Sequence, residues 1–221
     1  MSGWEKNVRR VSPYTPGEQP KRQHVIKLNT NENPYPPSPM VKAALRESLD
    51  TDLLRKYPDP ACGALNEALA ARYGVKLSQV FSGVGSDDVL AQCFMTFFNG
   101  PAPIVFPDIT YSFYDVWAEE FRIPYRTIPL DDHFLIRTDD YTGFAPGETG
   151  GIVIANPNAP TGELLPVSSI EEIVRSNPDV VVIVDEAYVD FGGESALPLI
   201  GKYDNVLVVQ TFSKSRSLAG M

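Results

Sequence analysis

Residues 180–188 read Val180-Val181-Val182-Ile183-Val184-Asp185-Glu186-Ala187-Tyr188. Five consecutive β-branched apolar residues are far too few to cross a bilayer, and they match a strand buried on both faces. Such strands belong to parallel sheets whose helices cover both sides. The run then stops on two acids. Ligands of an open parallel sheet bind outside the carboxyl ends of its strands, so a strand that ends on Asp185 directs attention to that edge.

Working outward, residues 79–82, 104–106, 125–128, 151–155 and 206–210 read as further strands. Helical spacing recurs between them. Val41, Ala44, Leu45 and Leu49 form one apolar stripe, and Leu65, Ala68 and Leu69 form another with Gly74 as its C-cap. Val89, Leu90, Cys93, Phe94, Phe97 and Phe98 make a third, ended by Gly100. Residues 111–120 predict a fourth helix, and a fifth opens at Ser168 with Glu171 completing a capping box. Residues 139–150 read as a surface loop. The fold class is α/β, a mostly parallel sheet flanked by helices. Residues 1–38, rich in proline (Pro13, Pro16, Pro34, Pro36, Pro37), predict an extended arm, and 39–221 a large ligand-binding domain. The last residues, Gly220 and Met221, fall where a crossover after a strand should continue, so the domain is expected to be incomplete at its C-terminus.

Composition bounds the function. The chain has 221 residues, 43% of them hydrophobic, and 19 Lys plus Arg against 28 Asp plus Glu give a net charge of −9. A field of that sign repels nucleic acid and anionic lipid but allows a small anion held by a helix N-terminus. Cys62 and Cys93 have no CxxC spacing and no histidine pattern nearby, so neither a disulfide framework nor a metal site is expected. With a polar N-terminus and no long apolar run, no membrane association and a cytoplasmic location are expected.

The strand ends are polar. After residue 82 come Gly83-Val84-Gly85-Ser86-Asp87-Asp88, a glycine turn opening a helix whose free N–H groups can cradle a phosphate. After 155 come Asn156-Pro157-Asn158-Ala159-Pro160-Thr161-Gly162, and after 210 come Thr211-Phe212-Ser213-Lys214-Ser215. Singly, each has a structural reading: the glycines as a turn, Asp185 as a cap or a magnesium ligand, Lys214 as a solvated cation, Tyr111 and Tyr188 as packing. The dinucleotide fingerprint lacks its third glycine, which argues against a dehydrogenase. Together, however, a lysine, a strand-end carboxylate, a phosphate cradle and an aromatic ring are what pyridoxal phosphate requires: an amine for the Schiff base, an anion at the pyridine nitrogen and an anchor for the phosphate.

The same motifs, with Ser213-Lys214-Ser215-Arg216-Ser217-Leu218-Ala219-Gly220, resemble the fold-type-I pyridoxal-phosphate aminotransferases. Ser12-Pro13-Tyr14, Leu28-Asn29-Thr30-Asn31-Glu32-Asn33-Pro34 and Arg55-Lys56-Tyr57-Pro58-Asp59 resemble their histidinol-phosphate aminotransferase subfamily. The resemblance implies that Lys214 bonds the cofactor and moves the proton between Cα and C4′, with Asp185 at the pyridine nitrogen and Tyr188 at the phenolic oxygen. It implies Tyr111 against the ring, and Gly85, Ser86, Asp87, Thr211 and Ser213 at the phosphate. Tyr57 would reach the cofactor of a second subunit in a homodimer, and Tyr14 and Asn33 would meet the substrate. The family places asparagine where this chain has Ala159, so that contact is expected to pass to Asn158. The implied substrates are a phosphorylated amine, L-histidinol phosphate, and a 2-oxo acid. A sister activity on the same fold (aromatic-amino-acid transamination or threonine-phosphate decarboxylation) stays open, as does a non-catalytic cofactor-binding fragment. Family members continue for well over a hundred residues, with a phosphate-binding arginine and a small domain expected after Met221.

Overall fold

The structure, a computed structural model, describes residues 5–6, 8–18, 21, 24–49 and 52–221. Five parallel strands form one sheet in the order β2-β1-β3-β4-β5, where β1 is Ile104–Pro107, β2 Tyr125–Ile128, β3 Gly151–Ala155, β4 Val182–Asp185 and β5 Val206–Val209. Helices α1 (Pro39–Leu49), α2 (Gly63–Tyr73) and α3 (Ser86–Phe97) precede the sheet, α4 (Tyr114–Phe121) links β1 to β2, and α5 (Val167–Ser176) links β3 to β4. No helix among the described residues is long and apolar enough to cross a membrane.

Alternate residues of each strand feed two separate cores. Val105, Ile152, Ile154, Val182 and Val184 pack with Ile170, Ile173 and Val174 of α5 on one face. Ile104, Phe106, Val153 and Ile183 pack with Phe94 of α3 and Tyr114 and Trp117 of α4 on the other. Because both faces are covered, β1, β3 and β4 are buried at every position, which is why they read as unbroken apolar runs. With no face left for polar groups, chemistry is confined to the strand ends.

Four local expectations are corrected. Residues 79–82 are not a strand: Leu77–Gln79 form a 3-10 turn, and the extended stretch from Val80 has no ladder partner among the described residues. Ser168 does not open α5; Pro166 precedes it with no side-chain cap, and Glu171 instead accepts hydrogen bonds from Lys202 Nζ and Tyr203 OH, both at 3.0 Å. The fourth helix begins at Tyr114 rather than 111, since residues 111–113 form the turn that carries the Tyr111 side chain toward the strand ends. Finally, the 139–150 segment is no simple surface loop. Its 3-10 turn Thr138–Tyr141 buries Tyr141, whose carbonyl accepts from Asn177 Nδ2 at 2.8 Å.

Within residues 1–38, residues 1–4, 7, 19–20 and 22–23 lie outside the described set. Described parts of this segment carry no α-helix or strand and touch the body at separate points. Arg9 donates to the Glu120 carbonyl, Tyr14 stacks on Phe113 with ring centres 4.5 Å apart, and Asn33 Nδ2 donates to the carbonyls of Lys214 and Ser215, both at 3.1 Å.

Gly151 opens β3 under the buried ring of Phe98, and a methyl at that position would run into the ring. Gly151→Ala should therefore cost about 1–3 kcal/mol in urea denaturation. Gly201→Ala, where a methyl meets no neighbouring atom, should stay within about 0.5 kcal/mol.

Candidate active site

The carboxyl ends of β3, β4 and β5 and the N-terminus of α3 surround a cavity of about 100 Å³. Ser86, Asp87, Tyr111, Asp185, Tyr188, Ser213 and Lys214 line it, seven residues that the sequence singled out. Ala155, Pro157, Ala159 and Ala187 complete the wall. Parallel register puts Asp185 opposite Ala155 of β3 and Val209 of β5, so the acid stands between the ends of these two strands.

Asp185 is 5% exposed. Burial, with Asp87 and Glu186 adding to it, pushes its carboxyl up to about 6, against the opposing hydrogen bonds from Tyr114 and Ala187. Tyr114 OH donates to Oδ2 at 2.8 Å and the Ala187 N–H to Oδ1 at 3.2 Å. Lys214 holds its ammonium 5.5 Å above the Tyr188 ring and forms no salt bridge among the described residues. Tyr188 OH accepts a hydrogen bond from Asn31 Nδ2 at 2.9 Å, which leaves its own proton free to be donated.

The phosphate cradle has a physical basis. Gly85 caps α3 at φ +85°, a conformation that favours glycine, and Asp88 Oδ2 accepts the Val84 N–H at 2.9 Å. No described group accepts the N–H groups of Ser86 and Asp87, so the first turn of a twelve-residue helix presents free donors to the cavity wall. Ser213 adds a hydroxyl, which itself accepts from Thr211 Oγ1 at 2.9 Å.

Five candidates lie elsewhere. Asn158 is buried, but its amide is saturated inside the turn: Nδ2 donates to the Ile109 carbonyl at 2.9 Å and Thr161 Oγ1 at 3.1 Å, and Oδ1 accepts from Thr110 Oγ1 at 2.8 Å. The side chain therefore has no donor left for a ligand, and Ala159 is the residue at the cavity wall. Thr211 reaches the cavity only through Ser213. Asn33 does not point into the cavity either; it spends its amide on the carbonyls of Lys214 and Ser215 and fixes the lysine loop. Tyr14 leans on Phe113, and Tyr57 is wholly exposed, away from this chain's own cavity.

Two groups were not anticipated as site residues. Tyr114 is fully buried and falls three residues after Tyr111; the signal that could have found it is that a buried phenol needs a partner. Asn31 stands in the 28–34 motif that carries the subfamily resemblance, but its pairing with Tyr188, 157 residues away, has no local signal. Glu186 is structural: its oxygens accept from Ala196 N–H at 2.6 Å, Ser195 OH at 2.7 Å and Gln210 Nε2 at 2.8 Å, tying β4 to the end of β5.

With this geometry in place, the comparisons are specific. A family model described as aminotransferase class I and II matches residues 23–221. The chain is 56% identical over 220 residues to histidinol-phosphate aminotransferase 2 of Dechloromonas aromatica, and 55% identical over 218 residues to the histidinol-phosphate aminotransferase of Aromatoleum aromaticum. Each match covers 99% of this chain and 61% of the relative, so the chain spans about three fifths of the length of these curated relatives. The crystal structure of histidinol-phosphate aminotransferase from Sinorhizobium meliloti in complex with pyridoxal-5'-phosphate superposes with a TM-score of 0.77 at 27% identity, covering 86% of this chain and 53% of that one.

The buried acid has a measurable consequence for the ligand-free protein. A folded-state value near 6 lies above the ordinary 3.8, so the folded state binds the extra proton and stability falls as pH rises from about 4 to about 6. Asp185→Asn removes that burden. It should stabilise the ligand-free protein at pH 8 by up to roughly 3 kcal/mol in urea denaturation, with the gain shrinking toward pH 4.

Proposed function

The chain belongs to the class I and II aminotransferase family, and from that premise we propose that it forms the pyridoxal-phosphate-binding part of an aminotransferase of histidine biosynthesis. Its substrates are L-histidinol phosphate and 2-oxoglutarate, interconverted with imidazole-acetol phosphate and glutamate. The observation that carries this reading is the meeting of Lys214, Asp185 and the free N–H groups of α3 around one cavity. The names of the relatives supply the substrate.

The residues fit the cofactor chemically. When bound, pyridoxal phosphate supplies an electron sink for negative charge at the substrate's Cα. The first turn of α3, with the Ser86 and Ser213 hydroxyls, would hold its phosphate, and the glycine at 85 keeps that turn open. Asp185, disfavoured as an isolated charge, gains most from a cationic ring nitrogen, which would hold it ionised. Tyr188 has a proton to donate to the phenolic oxygen, since Asn31 occupies its acceptor side. Lys214 is the amine that would bond the cofactor's aldehyde carbon, and once displaced it takes the proton from substrate Cα and returns it as general acid.

A second copy of the chain completes the proposal. α1 has no buried residue, and its own Met40 and, further along the chain, Leu54 and Tyr57 are exposed. A homodimer would cover this face and bring Tyr57 to the partner's phosphate site. Sedimentation is expected to report a dimer, and Tyr57→Phe should weaken cofactor binding by about tenfold, the worth of one charge-assisted hydrogen bond.

The reading is tested by the visible spectrum with added pyridoxal phosphate. A band that L-histidinol phosphate bleaches is expected in protein extended to the relatives' length. Borohydride should then leave the cofactor attached in the wild type and not in Lys214→Ala, as mass spectrometry would read; attachment persisting at the same stoichiometry in the variant overturns the assignment of Lys214.

A further inference from the structure

We propose that Tyr114 is a positioning residue of this site: its buried hydroxyl keeps the Asp185 carboxylate ionised and turned so that its remaining lone pairs face the cavity. The inference rests on the cofactor reading above and adds the group that keeps the acid ready before the cofactor arrives.

The geometry leaves Tyr114 one role for its hydroxyl. The residue is completely buried, and among the described residues the one hydrogen-bond partner of its OH is Asp185 Oδ2 at 2.8 Å. Its ring cannot swing aside, because Phe94, Phe106, Tyr111 and Trp117 surround it with ring centres 5.7–6.3 Å away. Burial and the neighbouring carboxylate hold the phenol well above its ordinary range, so it acts as donor at every working pH.

Every titratable group facing Asp185 shows why a donor is needed. Asp87 at the start of α3 and Glu186 beside it both favour the protonated acid, as does burial. Tyr111, a neutral phenol, is engaged with Asp87 through a 3.1 Å hydrogen bond, and Tyr188 with Asn31. Among the described residues Lys214 is the one cation lining the cavity, and it lies over the Tyr188 ring. Against these stand the Ala187 N–H at 3.2 Å and the shorter Tyr114 contact. A protonated Asp185 would present a donor to a cationic ring nitrogen and would have to lose its proton before the pair forms.

Tyr114→Phe keeps the ring and removes only the donor. Dissociation constants for pyridoxal phosphate, measured by absorbance in the dimeric protein from pH 5.5 to 8.5, are compared as the ratio of variant to wild type. Titration of the cofactor's own phosphate cancels in that ratio. Loss of one hydrogen bond to a charged group raises the Asp185 value by about one pH unit. The ratio is therefore expected near one at pH 8.5, rising to about five- to tenfold at pH 5.5. In an Asp185→Asn background the same change should leave the ratio flat. A ratio that is flat in the wild-type background, whatever its size, means that Tyr114 only packs, and it overturns the proposal. Failure of wild-type protein to develop any band with pyridoxal phosphate overturns the cofactor reading instead. Urea denaturation of ligand-free protein gives an independent readout. Stability of Tyr114→Phe should fall with pH over a range extended upward by the same unit, and a superimposable pH profile counts against the proposal.

Discussion

A carboxylate at the end of a fully buried strand is the group around which the rest of this structure is organised. β4 has no exposed position, so its last residue leaves the sheet inside the protein and not at its surface. The acid there has lost its water without gaining a salt bridge among the described residues, and two further acids lie close by. Two neutral donors limit the cost, the Tyr114 hydroxyl from α4 and the Ala187 N–H from the turn that follows β4. What remains is a deficit of positive charge at the sheet edge, and the cavity walls converge on that deficit.

The parallel sheet explains how so few residues build the cavity. Strands in register end together, so Ala155, Asp185 and Val209 deliver their following segments to one edge. The N-terminus of α3 arrives at the same edge with unpaired N–H groups. Helices α4 and α5 lie on opposite faces, and only α4 contributes to the site, through the aromatic cluster that holds Tyr114 against the acid.

Legibility in the sequence followed the range of the interaction. Strands β1, β3 and β4 announced themselves because burial on both faces demands unbroken apolar runs, and the residues after them were natural site candidates. Residues 79–82 have the composition of a strand, but pairing is a tertiary property, and no described strand takes them up. The Ser168-to-Glu171 spacing suits a capping box, yet Glu171 is drawn to Lys202 and Tyr203, which lie some thirty residues away. Asn158 was read from its neighbours in the motif, whereas its amide is committed to Thr110 and the Ile109 carbonyl from another loop. Tyr114 fell inside the helix expected over 111–120 and was not singled out, because its pairing with Asp185 spans 71 residues.

Asn33 and Asn31 tie the first part of the chain to the lysine loop and to Tyr188 across separations of 181 and 157 residues. These contacts place the order of synthesis in tension with the order of assembly. During translation the arm leaves the ribosome well before the carbonyls that Asn33 grips, which belong to residues 214 and 215. Until then its earlier-made contacts, Arg9 with the Glu120 carbonyl and Tyr14 with Phe113, are the ones open to it, and its prolines disfavour a helix of its own. The grip of Asn33 on the lysine loop can therefore form only after residue 215 has emerged, so this part of the site is fastened long after the arm itself was made.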